Sequence, residues 1–169
     1  MNFGNAEISF VIISKDFSFV KHNLSIFPEN FGDAVLEVKI MGFLRKLTLF
    51  LLGGAGYVGL ELLWRGRSHI SMFAAGGLCF LLLGRLTHTK LSPAARCLLG
   101  AGIITAVELF TGLLVNRDYH VWDYRAMPLN FAGQICLPFS LLWIPLSLGA
   151  MSLYRQAERL TRRRFPYPG

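Results

Sequence analysis

Between Phe131 and Tyr154 the chain runs for 24 residues without one charged side chain. A stretch of that length cannot be a surface helix, and only a spanning segment or a deeply buried one tolerates it. Three further apolar blocks precede it: Leu47–Trp64, about Ser68–Gly84, and Cys97–Val115 with a single charge. Crossing a hydrocarbon core takes roughly 17–25 residues of helix. Only 16% of the chain is charged against 53% hydrophobic, too few polar residues to clothe a water-soluble surface. In lipid an isolated strand leaves its amides unpaired, so the spans are expected to be helices. The fold expected is an all-α integral membrane protein, a four-transmembrane-helix bundle with short loops over residues 41–154.

The connections are brief and basic: "RGR", "RLTHTKLSPAAR" and "NRDYHVWDYRAMPLN", followed after the last span by the tail 155–169, "RQAERLTRRRFPYPG". Four spans put both ends on one side of the membrane. Ten Lys and Arg lie on that side and four on the other, which by the positive-inside rule places both ends in the cytoplasm. The net charge of +7 is mostly this asymmetry, and the tail is also suited to touching anionic membrane lipids. Nucleic acid is not an expected partner, because no basic, aromatic-interleaved soluble module exists to carry it.

Residues 1–40 differ from the rest. "AEISFVIISKDFSFV" has strand-like content, and its apolar core is too short for a signal peptide. At Met41 "MGFLRKLTLFLL" sets two basic residues before an apolar run, as small inner-membrane proteins often start. The expectation is that Met41 is the natural start or that 1–40 is a poorly ordered leader.

The polar residues inside the spans carry the functional question. Thr105, Glu108, Thr111 and Gly112 share one face of the third helix. A Glu turned to lipid costs about 3 kcal/mol or more, so Glu108 is expected to face other helices or water within the bundle. Gly54, Tyr57, Glu61 and Trp64 form a second stripe on the first helix, and Glu61 stands four residues before Arg65, the favourable order for an ion pair. Gln134 is expected one turn inside the fourth helix, with Asn130 as its N-cap. Pro138 and Pro145 are expected to kink that helix.

With the ends inside, Glu61, Glu108 and Gln134 all lie in the outer half of the membrane, Glu108 about 10 Å deep at helical rise. Asp123 in the outer loop is placed to pair with Arg65, Arg67, Arg117 or Arg125, or else to stay solvated. Trp122 and Tyr124 suit the headgroup zone. These positions predict an outward-facing polar pocket with Glu108 at its floor; the alternative is that they only hydrogen-bond helices together. Glycines in "LLGGAGYVG" and "FAAGG" allow close helix approach. "GGAG" is not a phosphate loop and no GxxxxGK[ST] occurs. Cys79, Cys97 and Cys136 form no CxxC pair, and the four His lack ligand spacing, so no metal or cofactor is expected.

The stretch from Glu108 to Trp143, "ELFTG", "VWDY" and "PLNFAGQICLPFSLLW", resembles the bacterial putative ABC-transporter type IV family, small permease-like membrane proteins. The family carries an E…TG helix, a W-D-Y loop, N-x-x-G-x-I-C and a later Trp. The matching positions are Glu108, Thr111, Gly112, Trp122, Asp123, Tyr124, Asn130, Gly133, Ile135, Cys136 and Trp143. Arg125 stands where the family often has Ser. The resemblance is closest over these 36 residues and looser back to Tyr57.

It implies a transport component; taken with the polar pattern read from the residues, the expected pocket is built from Glu108, Thr111, Asp123, Tyr124 and Gln134 and binds a small polar or cationic solute, with Glu61, Arg65, Trp122 and Asn130 as structural supports. Four helices are few for a lone transporter, so a homo-oligomer or a separate ATPase subunit is expected. A scaffold of an envelope complex, or a lipid-modifying enzyme with Glu108 as base, are the other readings.

Overall fold

The computed structural model describes residues 31–164. The strand-like stretch at Ala6–Val20 and most of the 1–40 leader lie outside these residues. Four helices dominate: α1 Phe31–Arg65, α2 Ile70–Thr87, α3 Pro93–Val115 and α4 Leu137–Arg164. A two-residue antiparallel pair, β1 Asn130–Phe131 with β2 Ile135–Cys136, leads into α4, with Asn130 opposite Cys136 and Phe131 opposite Ile135. All four helices are long and apolar enough to cross a membrane. The protein is a multi-pass, all-α membrane bundle, and the described residues from 42 to 164 belong to one compact unit.

The distribution of side chains inverts that of a soluble protein. Large apolar residues such as Phe43, Leu63, Phe110 and Leu153 are exposed, while Glu108, Asn116, Gln134, Ser147 and Thr161 are buried. A lipid solvent imposes this arrangement, since polar groups must then be satisfied inside.

Helix ends follow capping chemistry rather than hydropathy. α2 starts at Ile70 because the His69 ring nitrogen Nδ1 accepts the Ser71 amide at 3.2 Å. α3 starts at Pro93, four residues before the apolar block, because Ser92 Oγ accepts the Ala95 amide at 3.2 Å and Pro93 has no amide to satisfy. Ser92→Ala should cost about 1 kcal/mol, measured as a lowered thermal midpoint in detergent; an unchanged midpoint would show that the cap contributes nothing.

The fourth helix departs from expectation at both ends. It begins at Leu137, not at Phe131, because Ala132 and Gly133 take positive φ (53° and 64°), which no right-handed helix accommodates. Asn130 therefore does not cap it. Instead Asn130 Nδ2 donates to the Met127 and Arg125 carbonyls at 2.9 and 3.2 Å, and its Oδ1 accepts the Gly133 amide at 3.2 Å. Asn130 thus folds the turn that precedes the helix. Gln134 likewise lies in this turn and not within the helix. At the far end α4 runs ten residues past Tyr154, to Arg164. There Glu158 lies 3.2 Å from Arg162 one turn on and 3.2 Å from His88 at the end of α2, so the extension beyond the apolar run carries polar contacts of its own.

Small residues set the helix spacing. Gly53 and Gly76 bring α1 and α2 together, one under Phe80 and the other under Tyr57. Gly100 on α3 lies against Ser147 of α4, where an added Cβ would sit 2.8 Å from the serine Cβ. Ser147 is wholly buried, and its Oγ donates to the Cys97 carbonyl at 3.1 Å. A second α3–α4 link joins Thr105 Oγ1 to Ser140 Oγ at 3.3 Å.

Candidate functional site

The polar stripe on α3 faces α4 and the loop that connects them. Thr105 meets Ser140, Glu108 meets Trp143, and Gly112 lies beneath the Gln134 side chain. Glu108 is 6% exposed. Its two oxygens have separate partners: Tyr124 Oη donates to Oε1 at 2.9 Å and Trp143 Nε1 donates to Oε2 at 3.1 Å. Both donors are neutral. Among the described residues, no ion pair includes Glu108.

One asparagine holds the loop that delivers Tyr124. Asn116, 1% exposed, follows directly on α3. Its Nδ2 donates to the Trp122 carbonyl at 2.6 Å and to Gln134 Oε1 at 3.0 Å. Its Oδ1 accepts the Val121 amide at 2.9 Å. Gln134 Nε2 returns a bond to the Asn116 carbonyl at 3.0 Å, and Trp122 Nε1 donates to the Gln134 carbonyl at 2.8 Å. Every polar end of this buried group is satisfied, which is the condition for such a network to fix a single conformation. The Tyr124 amide also donates to the Gly133 carbonyl at 3.0 Å.

The end of α1 is tied to the same loop. Arg65 pairs with Glu61 one turn back, and its other terminal nitrogen donates to the Val121 carbonyl at 2.6 Å. Ser68 supplies a second hydrogen bond to Glu61.

These elements enclose a cavity of about 280 Å³. From α1 come Tyr57, Leu60, Glu61, Trp64 and Arg65; from α4, Phe139, Leu142, Trp143 and Leu146. Met72, Glu108, Trp122 and Tyr124 complete the wall. Aromatic contacts run along it without a break: Tyr124 stacks on Phe139 at 5.0 Å, Phe139 meets Trp143 at 6.5 Å, and Trp143 meets Tyr57 at 6.4 Å. Leu60, Trp64, Leu142 and Leu146 are themselves exposed, so the rim between α1 and α4 is apolar. Burial, and then the neighbouring Glu108 carboxylate, push the Tyr124 hydroxyl well above the ordinary phenol range. Tyr124 therefore stays protonated and keeps its donor for Glu108.

Of the residues singled out from sequence, Glu108, Tyr124, Glu61, Arg65 and Trp122 meet at this cavity. Gln134 does not line it; its amide is committed to Asn116. Thr111 lies half-buried one turn beyond Glu108 and is not part of the wall. Asp123 is exposed and pairs with Arg125 at 2.8 Å. The Arg125 hydrogen bonds hold the Asp123 carboxyl below its usual range. Arg125 also lies over the Tyr119 ring at 4.2 Å, so it fastens the loop.

Nothing in the sequence pattern singles out Asn116. A lone Asn after a helix reads as a surface cap, and only its distance-spanning bonds to Gln134 and Trp122 reveal its role. Trp143 is visible as a motif residue, but its bond to Glu108 across 35 positions is not.

No curated protein and no solved structure matches the chain. Residues 57–164 match the family described as Putative ABC-transporter type IV, a segment that contains the whole cavity, and the chain belongs to that family.

Proposed function

We propose that this protein is a permease-like membrane subunit of an ABC-type transport system and that the cavity around Glu108 receives a small solute. The observation that carries the reading is Glu108 itself, a carboxylate enclosed among apolar helices, held only by neutral donors, and lining an open volume. Nothing about packing alone requires a carboxylate there, since a neutral side chain would avoid the cost of burying charge. Placing both chain ends in the cytoplasm of a bacterial inner membrane, as the Lys and Arg distribution favours, turns the Glu108 end of the bundle outward. The basic end of α4 then meets anionic lipid on the inner face.

Energy for transport comes from a separate ATPase subunit in this reading, and a second copy of the chain supplies further helices. A scaffold role is the second reading; it is favoured by the fact that both Glu108 oxygens already have partners within the chain.

Purification from native membranes in a mild maltoside detergent separates the two. Transport predicts co-isolation of a nucleotide-binding subunit whose hydrolysis depends on the charge at residue 108. Glu108→Gln is the informative variant. Its amide can accept from Trp143 and donate to the Tyr124 hydroxyl, which rotates to accept, so the fold is kept while the charge is lost. We expect ATP hydrolysis by the complex to fall at least about tenfold. Isolation with envelope proteins but no ATPase, or a Glu108→Gln complex with full activity, would leave the scaffold reading.

A further inference from the structure

We propose that the cavity between α1 and α4 is built for an organic ammonium cation, taken either as a free solute or as the headgroup of an amphiphile. This rests on the ligand-binding reading above and names the class of ligand.

The charge balance is the first ground. Arg65 matches Glu61, while Glu108 receives only the Tyr124 hydroxyl and the Trp143 indole N–H. The wall therefore holds one more carboxylate than guanidinium. A cation restores the balance and an anion worsens it.

The second ground is the wall. Six aromatic side chains line the cavity, including Tyr57, Tyr124 and Trp143. Ring faces attract a weakly hydrated cation, and a desolvated site strengthens the effect. A bare metal ion is poorly served. Hard cations take six or more oxygen ligands, and among the described residues no three His, Cys, Asp or Glu side chains stand close enough to hold one. A neutral sugar needs many hydrogen-bonding groups, whereas both carboxylates and the Trp122 and Trp143 indoles here already have partners.

Size and access narrow the ligand further. About 280 Å³ lies at the lower edge of ligand pockets, enough for a substituted ammonium group. The exposed apolar rim of Leu60, Trp64, Leu142 and Leu146 lets an alkyl chain leave sideways between the two helices, so a tail on the cation is no obstacle.

The three tryptophans of the chain, Trp64, Trp122 and Trp143, all line this cavity, so intrinsic fluorescence reads its occupancy directly. The protein in maltoside detergent is titrated with choline, with 3,3-dimethylbutan-1-ol as its uncharged isostere, and with decyltrimethylammonium below its micellar concentration. We expect a saturable change with choline, binding of the alcohol weaker by at least about tenfold, and a similar loss of choline binding in Glu108→Gln. Decyltrimethylammonium binding about tenfold tighter than choline identifies a bilayer amphiphile as the source; equal affinity identifies a free solute. If the alcohol binds as well as choline, the cation class is wrong although the cavity still takes ligands. If none of the three alters the fluorescence, the solute-binding reading falls with it. The choline-to-alcohol ratio is measured on the unmodified protein, so it decides the matter even if the variant fails to fold.

Discussion

Asn116→Ala should destabilise the protein by about 3 kcal/mol or more. The side chain makes close bonds to the Trp122 carbonyl, the Val121 amide and the Gln134 amide oxygen. Truncation leaves these three groups buried without their partner, at about 1–3 kcal/mol each. Partial relaxation recovers some of this, which sets the expected cost at the low end of the sum. Asn116→Asp should not rescue, because it keeps the acceptor for Val121 but turns a carboxylate toward two oxygens that need donors. The measurement is the unfolding midpoint in detergent together with tryptophan emission. Release of the loop exposes Trp122, now 5% exposed, and should shift its emission to the red well below the melting temperature. The comparison is Asp123→Asn, which removes an exposed pair with Arg125 and should leave the midpoint where it was. If Asn116→Ala melts with the parent, the loop is held by something other than this network.

The same network shows why part of the site is hidden in the sequence. The four spans are legible because lipid demands long apolar runs, and the inward turn of Glu108 follows from the cost of exposing it to hydrocarbon. The Glu61–Arg65 pair follows from helical spacing alone. What periodicity cannot report is contact between elements. Trp143 reaches Glu108 from another helix, and Asn116 meets Gln134 across 18 positions. Neither partner is selected by any local pattern. The turn at 130–136 is hidden for a different reason: its residues are mostly apolar, so it reads as the first turns of a span, and only the positive φ at Ala132 and Gly133 separates it from one. Hydropathy marks what lipid touches, whereas caps such as Ser92 mark where the backbone begins to coil.

The cavity follows the same division. Four of its six rings, Tyr57, Trp64, Phe139 and Trp143, belong to ordinary apolar stretches, and the polar stripe on α1 is the sequence sign that Tyr57 and Trp64 turn toward Glu61. The loop then does what the helices cannot. By carrying Trp122 and Tyr124 back over the bundle, it closes one side of the cavity and gives Glu108 one of its two donors. Stability and the binding reading are therefore coupled: a variant that frees the loop should also lose the pocket, while Glu108→Gln should lose charge and keep the loop.

The second large effect is expected at Gly84, where one methyl group should have opposite consequences depending on which glycine receives it. Gly84 on α2 lies directly under the Tyr154 ring of α4, and an added Cβ would overlap the ring atoms. The ring cannot swing away freely, because Phe80 holds it edge-on at 5.3 Å. Gly84→Ala should therefore cost about 1–3 kcal/mol, and Gly84→Leu should prevent α2 and α4 from closing, seen as loss of a monodisperse species on size exclusion. Gly102 on α3 has open space where a Cβ would go, so Gly102→Ala should leave the midpoint unchanged or raise it, by up to about 1 kcal/mol from helix propensity. Removing the obstacle tests the mechanism. Tyr154→Ala alone leaves a void and lowers stability, but Gly84→Ala added to it fills part of that void. The double variant should be more stable than the sum of the single costs predicts, by about 0.5–3 kcal/mol of coupling. Strict additivity would mean that Gly84 matters through its own backbone and not through contact with Tyr154, and the close α2–α4 approach would then have no part in holding the bundle.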